Sequence, residues 1–206
     1  MGTDSPAGPG AGDGAGVTAR LGALTTALLV LGVGLVLGGL VLPSGTDDSG
    51  PSYADLGPAD PVRLQVRSLR IDAPVVPVAV TTDRVLDPPT DVLDVGWWDA
   101  SAQPGAESGQ TVIAGHTVHT GGGSLDRLGD VRRGAAVDVT TPRGRMRYEV
   151  TRVVVYDKDQ LAANAQQVFG QDRRDGRLVL ISCTDWDGAA YASNVVVFGR
   201  ALGEPV

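Results

Sequence analysis

The chain has 206 residues, enough for one domain of ordinary size plus tails, and it contains 29 Gly, 13 Pro and only 4% aromatic residues. This composition predicts many turns and a core of Val, Leu, Ile and Ala, and it favours β structure. The net charge of −7 argues against a nucleic-acid partner, because binding phosphates needs clustered Lys and Arg. The one cysteine excludes an internal disulfide, and with two histidines it leaves too few soft ligands for structural zinc.

The first predicted element is a transmembrane helix at residues 21–42, an uncharged run, LGALTTALLVLGVGLVLGGLVL. It is long enough to cross a bilayer core of about 30 Å. A buried core helix is the weaker alternative. A cleaved signal peptide is a stronger one, although its apolar region is usually shorter, about 7–15 residues. Arg20 before the run and two aspartates after it predict a cytoplasmic N-terminus, so we expect a single-pass protein of the cell membrane with an extracytoplasmic domain.

The segments on either side of this run are rich in Gly, Ala and Pro and show no periodicity. Residues 1–20 are therefore predicted to be a disordered cytoplasmic tail. Residues 43–60 are predicted to be a flexible stalk. The folded domain is expected to occupy residues 61–206.

Within that domain, short apolar and β-branched runs recur between turn signals, and seven or eight strands are typical of a β-barrel or sandwich. Pro142 and Gly144 predict a tight hairpin turn. Helical spacing occurs once, at 159–170, with Asp159 as a candidate N-cap and Gly170 at the end. The predicted strands are 63–71, 74–80, 111–116, 135–141, 147–157, 177–183 and 194–202.

Cys183 ends the apolar run LVLIS and precedes a polar loop containing Gly188. A single cysteine is more often a small buried hydrophobe than a nucleophile. However, the end of a strand is a position at which folds present reactive groups, and a structural cysteine would fit better inside the apolar run. Both interpretations stay open on this position alone.

His116 also lies at the end of a predicted strand, in TVIAGHTVHTGGG, and His119 lies three residues later. Either histidine taken alone is explained as a loop residue. Taken with Cys183, an imidazole supplies a base or a cation for the thiolate and a proton for a leaving amine. The glycine beside His116 allows close approach of a substrate backbone.

These motifs in this order resemble the sortase family. The similar segments are RSLRIDAPVVPVAV, VGWWDASAQPGAESGQTVIAGH, LDRLGDVRRG and the LISC segment, and they span about residues 61–202. The ending WDGAAYASNVVV most resembles actinobacterial sortases of classes E and F. The resemblance implies an all-β fold: an eight-stranded β-barrel with one or two short helices.

The resemblance also implies a cysteine transpeptidase that cleaves an LPXTG-like sorting signal. By motif match, Cys183 forms the acyl-thioester and His116 protonates the departing amine, whereas His119 matches nothing catalytic. The implied partners are surface proteins that carry the signal and an amine acceptor in peptidoglycan or pilin. No cofactor is implied.

The sequence departs from the family at 192–194, where Ala, Ser and Asn stand in place of the expected arginine. Asn194 is the hypothesis for a partial substitute as an oxyanion donor, against a role as a turn residue. Arg200 is a weaker candidate. The other arginines, including 132, 133, 173 and 174, are expected on the solvated surface.

Other candidate sites are weaker. The aspartates at 126, 130, 185 and 187 match no EF-hand spacing, so no metal site is predicted. Trp97, Trp98 and Trp186 suit a substrate groove or core packing equally. The missing arginine leaves two alternatives to a transpeptidase: a thiol hydrolase of similar peptides, and a degenerate, non-catalytic domain that binds such peptides.

Overall fold

A computed structural model describes residues 50–81 and 86–206. The predicted tail (1–20), the predicted transmembrane helix (21–42) and the first part of the predicted stalk lie outside the described residues. No helix within the described ranges has the length and apolar character needed to cross a bilayer.

The described ranges contain nine strands, two short α-helices and two 3-10 turns, at 67–69 and 128–130. The helices are α1, Lys158–Ala163, and α2, Ala165–Phe169. The strands are β1 Tyr53–Ala54, β2 Arg63–Val66, β3 Ile71–Val78, β4 Val95–Trp98, β5 Gln110–Gly115, β6 Ala136–Thr141, β7 Gly144–Asp157, β8 Arg177–Trp186 and β9 Tyr191–Pro205.

Strands β2 to β9 form a closed ring. The sheet order is β1-β9-β7-β6-β2-β3-β4-β5-β8, and β8 pairs with β9 to complete the barrel. The pairs β3–β4 and β5–β8 are parallel, and the other neighbours are antiparallel. This confirms the eight-stranded barrel with two short helices that the resemblance implies.

Alternation along β8 shows how the barrel is filled. Leu178 and Leu180 belong to the apolar cluster inside the barrel, here called the inner cluster. Val179 and Ile181 point the other way, into a second cluster with Val168 of α2, here called the outer cluster. Because successive side chains of a strand point to opposite faces, the continuous apolar run of β8 is explained by burial on both faces.

Three details differ from the prediction. The expected strand 63–71 is interrupted by the 3-10 turn at 67–69, after which Arg70 adopts a left-handed backbone with φ of 58°. Strand β4 was not predicted. The expected helix at 159–170 is two helices, and Asp157 rather than Asp159 is the N-cap, since its side chain accepts from the Gln160 amide in a capping box.

The end of the predicted stalk lies against the barrel. Tyr53 pairs with Pro205 and Ala54 with Glu204, so β1 extends the edge of β9. Leu56 is buried in the inner cluster. The stalk as a whole stays a prediction, but its described end forms these contacts with the C-terminal part of β9.

Candidate active site

Cys183 and His116 lie at neighbouring strand ends. β5 and β8 run parallel, and the last residues in register are Ala114 and Ile181. Two residues further along each chain come His116, directly after β5, and Cys183 in the last part of β8. Because parallel strands bring equivalent ends to the same edge, the two candidate residues lie at one end of the barrel.

Ser182 holds these two strand ends together beyond the last ladder pair. Its hydroxyl is buried and donates to the Gly115 carbonyl at 3.0 Å. The Thr117 hydroxyl lies 2.6 Å from the Ser182 hydroxyl oxygen. Thr117 donates in this contact, because the Ser182 hydrogen is already used in the bond to Gly115. The residues on both sides of His116 are therefore bonded to the residue next to Cys183.

These contacts also indicate the face on which the imidazole lies. Leu180 belongs to the inner cluster and Ile181 to the outer one, so alternation places Ser182 on the inner side and Cys183 on the outer side. Thr117 reaches Ser182 on the inner side. His116, its neighbour, therefore points to the outer side, where the thiol lies.

The His116 ring is anchored by a backbone group. Its Nε2 lies 2.7 Å from the carbonyl oxygen of Pro89, between β3 and β4. A carbonyl only accepts, so Nε2 carries a hydrogen in this contact. Nδ1 is then the nitrogen left to take up and return a proton.

The Cys183 thiol is half-buried, and the amide of Asn194 on the neighbouring strand lies close to it. Burial raises its pKa above the ordinary value, and the positive charge of Lys158 acts in the opposite direction. The Asn194 amide nitrogen lies 3.9 Å from Sγ, because Asn194 is the direct partner of Cys183 across β8 and β9. The predicted pairing of Asn194 with the site thus has a geometric basis.

The arginines of the described residues make their hydrogen bonds and ion pairs with groups other than Cys183. Arg200 is bonded to Glu149 at 2.8 Å and pairs with Arg177, six residues before Cys183 on β8. At about 3.3 Å per residue this is roughly 20 Å from the thiol, so Arg200 cannot replace the missing arginine. The guanidiniums of Arg152 and Arg177 lie over the Phe198 ring, at 4.4 and 4.7 Å from its centre.

The second histidine has a packing role in the same region. The His119 ring stacks on Trp186 with ring centres 4.3 Å apart, and Trp186 contacts Tyr191 edge-on. Trp97, by contrast, is buried in the inner cluster. Asp126 accepts from the Val118 and Gly123 amides at 2.7 and 3.0 Å, which shapes the loop after His116.

Residues 50–81 and 86–206 contain no group of acidic, histidine or cysteine side chains that could hold a metal ion. Asp187 instead accepts from the amides of Ala189 and Ala190, both at 2.8 Å, and so fixes the turn between β8 and β9. The aspartates at 126 and 187 therefore have structural roles in loops.

Several contributors to the site were not found in the sequence. Pro89 acts through a backbone carbonyl, which no residue pattern marks. Ser182 and Thr117 were visible beside the motifs, but only the parallel register shows that they meet. Lys158 gave no signal because its position near Cys183 depends on the pairing of β7 with β9.

Comparison with known families finds one match, to the family described as the sortase domain, over residues 64–202. Among solved structures, sortase A from Corynebacterium diphtheriae has a TM-score of 0.55 and 18% identity, over 70% of this chain and 61% of that one. This chain therefore spans less than two thirds of that structure. A comparison with curated proteins finds no match.

Two further structures give the same result. Sortase C-1 from Actinomyces oris has a TM-score of 0.53 and 22% identity, over 69% of this chain and 74% of that one. Sortase C from Streptococcus pneumoniae has a TM-score of 0.56 and 14% identity, over 71% and 70%. At these identities the structures show a shared fold.

Proposed function

The chain belongs to the sortase family, and from that premise we propose that it is a cysteine transpeptidase acting on LPXTG-like sorting signals. The observation that carries this proposal is the placement of three groups at one end of the barrel. His116 directly follows β5, Cys183 lies in the last part of the parallel neighbour β8, and the Asn194 amide nitrogen lies 3.9 Å from the thiol sulfur.

In the first step, Cys183 Sγ attacks the carbonyl carbon between Thr and Gly of the signal. Nδ1 of His116 takes the thiol proton as the C–S bond forms, and it gives that proton to the departing glycine nitrogen as the C–N bond breaks. The Pro89 carbonyl keeps the ring oriented by accepting from Nε2. The product of this step is an acyl-thioester on Cys183.

In the second step, an amine attacks the thioester carbon. A new C–N bond forms, the C–S bond breaks, and the proton lost by the amine returns to His116. In both steps negative charge develops on the carbonyl oxygen, and the Asn194 amide is the nearest side-chain donor to the sulfur. Asn194 thus partly replaces the family's arginine as a hydrogen-bond donor to the developing oxyanion.

The proposed setting follows from the sequence. The apolar run 21–42 would anchor the chain in the cell membrane with the barrel outside. Surface proteins with a sorting signal would supply the acyl group, and peptidoglycan or a pilin would supply the amine. The Streptococcus pneumoniae structure was described in terms of pilin substrate specificity. The ending WDGAAYASNVVV supports placement near the actinobacterial classes E and F.

The test uses the full-length chain in detergent, a fluorescent LPXTG-type peptide, and triglycine or a lysine amide as acceptor. A transpeptidase gives a ligated product that contains the acceptor, and Cys183→Ala gives none. A hydrolase gives only the shortened acid, whether or not the amine is present. Binding of the peptide without cleavage identifies a non-catalytic domain and overturns the proposal.

A further inference from the structure

We infer that Lys158 is a positioning residue of this site, whose ammonium group favours the thiolate form of Cys183 in place of the arginine missing at 192–194. The inference rests on the proposed function, since it concerns the reactivity of the same thiol. It goes beyond that proposal because it assigns a role to the first residue of α1, outside every motif of the family resemblance.

The first support is the strand register. Tyr156 on β7 pairs with Asn194 on β9, and Asn194 pairs with Cys183 on β8, so these three residues form one row across three strands. The next pair along is Asp157 with Ser193. The ladder ends there, and Lys158 is the next residue of the chain and the first of α1, so it leaves the barrel beside residues 192–194, where the arginine was expected.

The second support is the face of the sheet. Tyr156 is buried in the outer cluster, so its side chain points to the same side as Ile181 and, by alternation, Cys183. Asp157 keeps an extended backbone, with φ of −65° and ψ of 173°, before α1 begins. Lys158 is two residues beyond Tyr156 and therefore leaves β7 on the face that carries the thiol.

The third support is charge. Lys158 is the only lysine of the sequence, and its exposed ammonium makes no hydrogen bond or ion pair with any residue in the described ranges. Burial raises the pKa of Cys183, and the positive charge of Lys158 opposes that rise. The Ala190 and Ala189 amides hold the pKa of Asp187 below its usual range, and Lys158 adds to that effect.

The other titratable groups around the thiol come from three elements. They are His116 after β5, Tyr191 on β9, Asp185 near the end of β8, and Asp187 in the turn after β8. Of these, only the histidine could also bear a positive charge. If the lysine charge is removed, His116 is therefore the one member of this set that can still stabilise the thiolate with a positive charge.

The experiment measures the rate of Cys183 alkylation by iodoacetamide on the full-length chain, from about pH 6 to about pH 11. Lys158→Met keeps a similar stem without the charge, and we expect the midpoint of the rate profile to rise by about 0.5–1 pH unit. Lys158→Arg should keep the wild-type midpoint. Arg133→Met is the matched control. It removes an exposed positive charge just before β6 and should leave the midpoint of the rate profile unchanged.

Salt gives a second readout that a purely structural role would not move. Because Lys158 is exposed, raising the salt to about 1 M should shrink the difference between wild type and Lys158→Met. A Lys158→Met profile identical to wild type at low salt would overturn the inference, as would a midpoint in Lys158→Arg equal to that of Lys158→Met.

The two proposals fail separately, because alkylation needs no sorting signal. If the chain transfers peptides but Lys158→Met alkylates like wild type, the inference falls and the transpeptidase stands. If the midpoint shifts but no peptide is ever cleaved, the inference about the thiolate stands and the transpeptidase falls.

Discussion

The Thr117 hydroxyl lies 2.6 Å from the hydroxyl of Ser182, which itself donates to the Gly115 carbonyl. This relationship continues the β5–β8 pairing past the end of its backbone ladder by means of side chains. The separation of His116 and Cys183 is thus fixed by a buried serine between them rather than by loop conformation. Side-chain contacts of this kind hold neighbouring strands in a fixed relationship where their backbone ladder stops.

Ser182→Ala should therefore impair both folding and activity. It leaves the Gly115 carbonyl and the Thr117 hydroxyl without their partner, and we expect the free energy of unfolding to fall by about 1–3 kcal/mol. Peptide transfer should slow as well, because His116 loses its anchor to β8. Urea unfolding and turnover measure the two effects. Thr184→Ala, on the same strand, is the control, and full turnover in Ser182→Ala would contradict the assigned role.

Substitution of the two histidines should have very different effects on turnover. His116→Gln removes the proton donor for the leaving amine, and we expect turnover to fall by about 10²–10⁴-fold. His119→Gln removes only a stacking contact with Trp186, so its effect should be small. Steady-state rates with an LPXTG-type peptide separate the two. Similar losses in both variants would show that His116 has no special role.

Asn194→Ala should lower kcat with little effect on KM. Removing one oxyanion donor typically costs about 10²–10³-fold in rate. Ser193→Ala, the neighbouring residue on the opposite face of β9, is the matched control. Asn194→Asp should be at least as slow, because it exchanges a donor for a negative charge beside the thiol. Unchanged kcat in both Asn194 variants would return the residue to a structural role.

Tyr148 should make stability depend on alkaline pH. Burial raises the pKa of its phenol to about 12, whereas the unfolded value is about 10. The folded state favours the protonated form, so this contribution is complete below about pH 10 and is lost between about 10 and 12, by about 2–3 kcal/mol. Urea unfolding of Tyr148→Phe should lack this component. Tyr53→Phe should keep it, and a persistent decline in Tyr148→Phe would point to another group.

Removing one partner of a buried ion pair should lower the free energy of unfolding more than removing one partner of an exposed pair. Arg147 donates to both oxygens of Asp138 at 2.6 and 2.8 Å, and the Asp138 side chain is only 3% exposed. Arg147→Met leaves the buried carboxylate with only the longer 3.9 Å contact to Arg145, and it should cost about 3 kcal/mol in unfolding free energy. Arg127→Met breaks the exposed pair with Asp130 and should cost at most about 1 kcal/mol. Equal losses would contradict this difference.

The sequence predicted the long strands well because their apolar runs are bounded by clear turns. Strands β7 and β8 fall almost where expected, and the hairpin at Pro142 and Gly144 is confirmed. Strand β4 was missed because four residues, VGWW, give too short a pattern, and its pairing with β3 and β5 supplies the order that its own sequence does not.

The site was predictable only through the family motifs. Apolar periodicity places Cys183 at a strand end but gives no information on what lies beside it. The contacts of Pro89 and Lys158 depend on register between distant segments, which local patterns do not encode. Asn194 became a candidate because the family resemblance directs attention to that position, and its direct pairing with Cys183 places its amide near the thiol.

The pairing of β1 with the last residues of β9 determines where the upstream chain joins the barrel. Pro205 contacts Tyr53, whereas Asn194, eleven residues earlier on the same strand, lies beside the thiol. At about 3.3 Å per residue that separation is about 36 Å along the strand, so β1 and the thiol lie toward opposite ends of β9. The point at which the described chain enters the barrel is therefore remote from the cysteine.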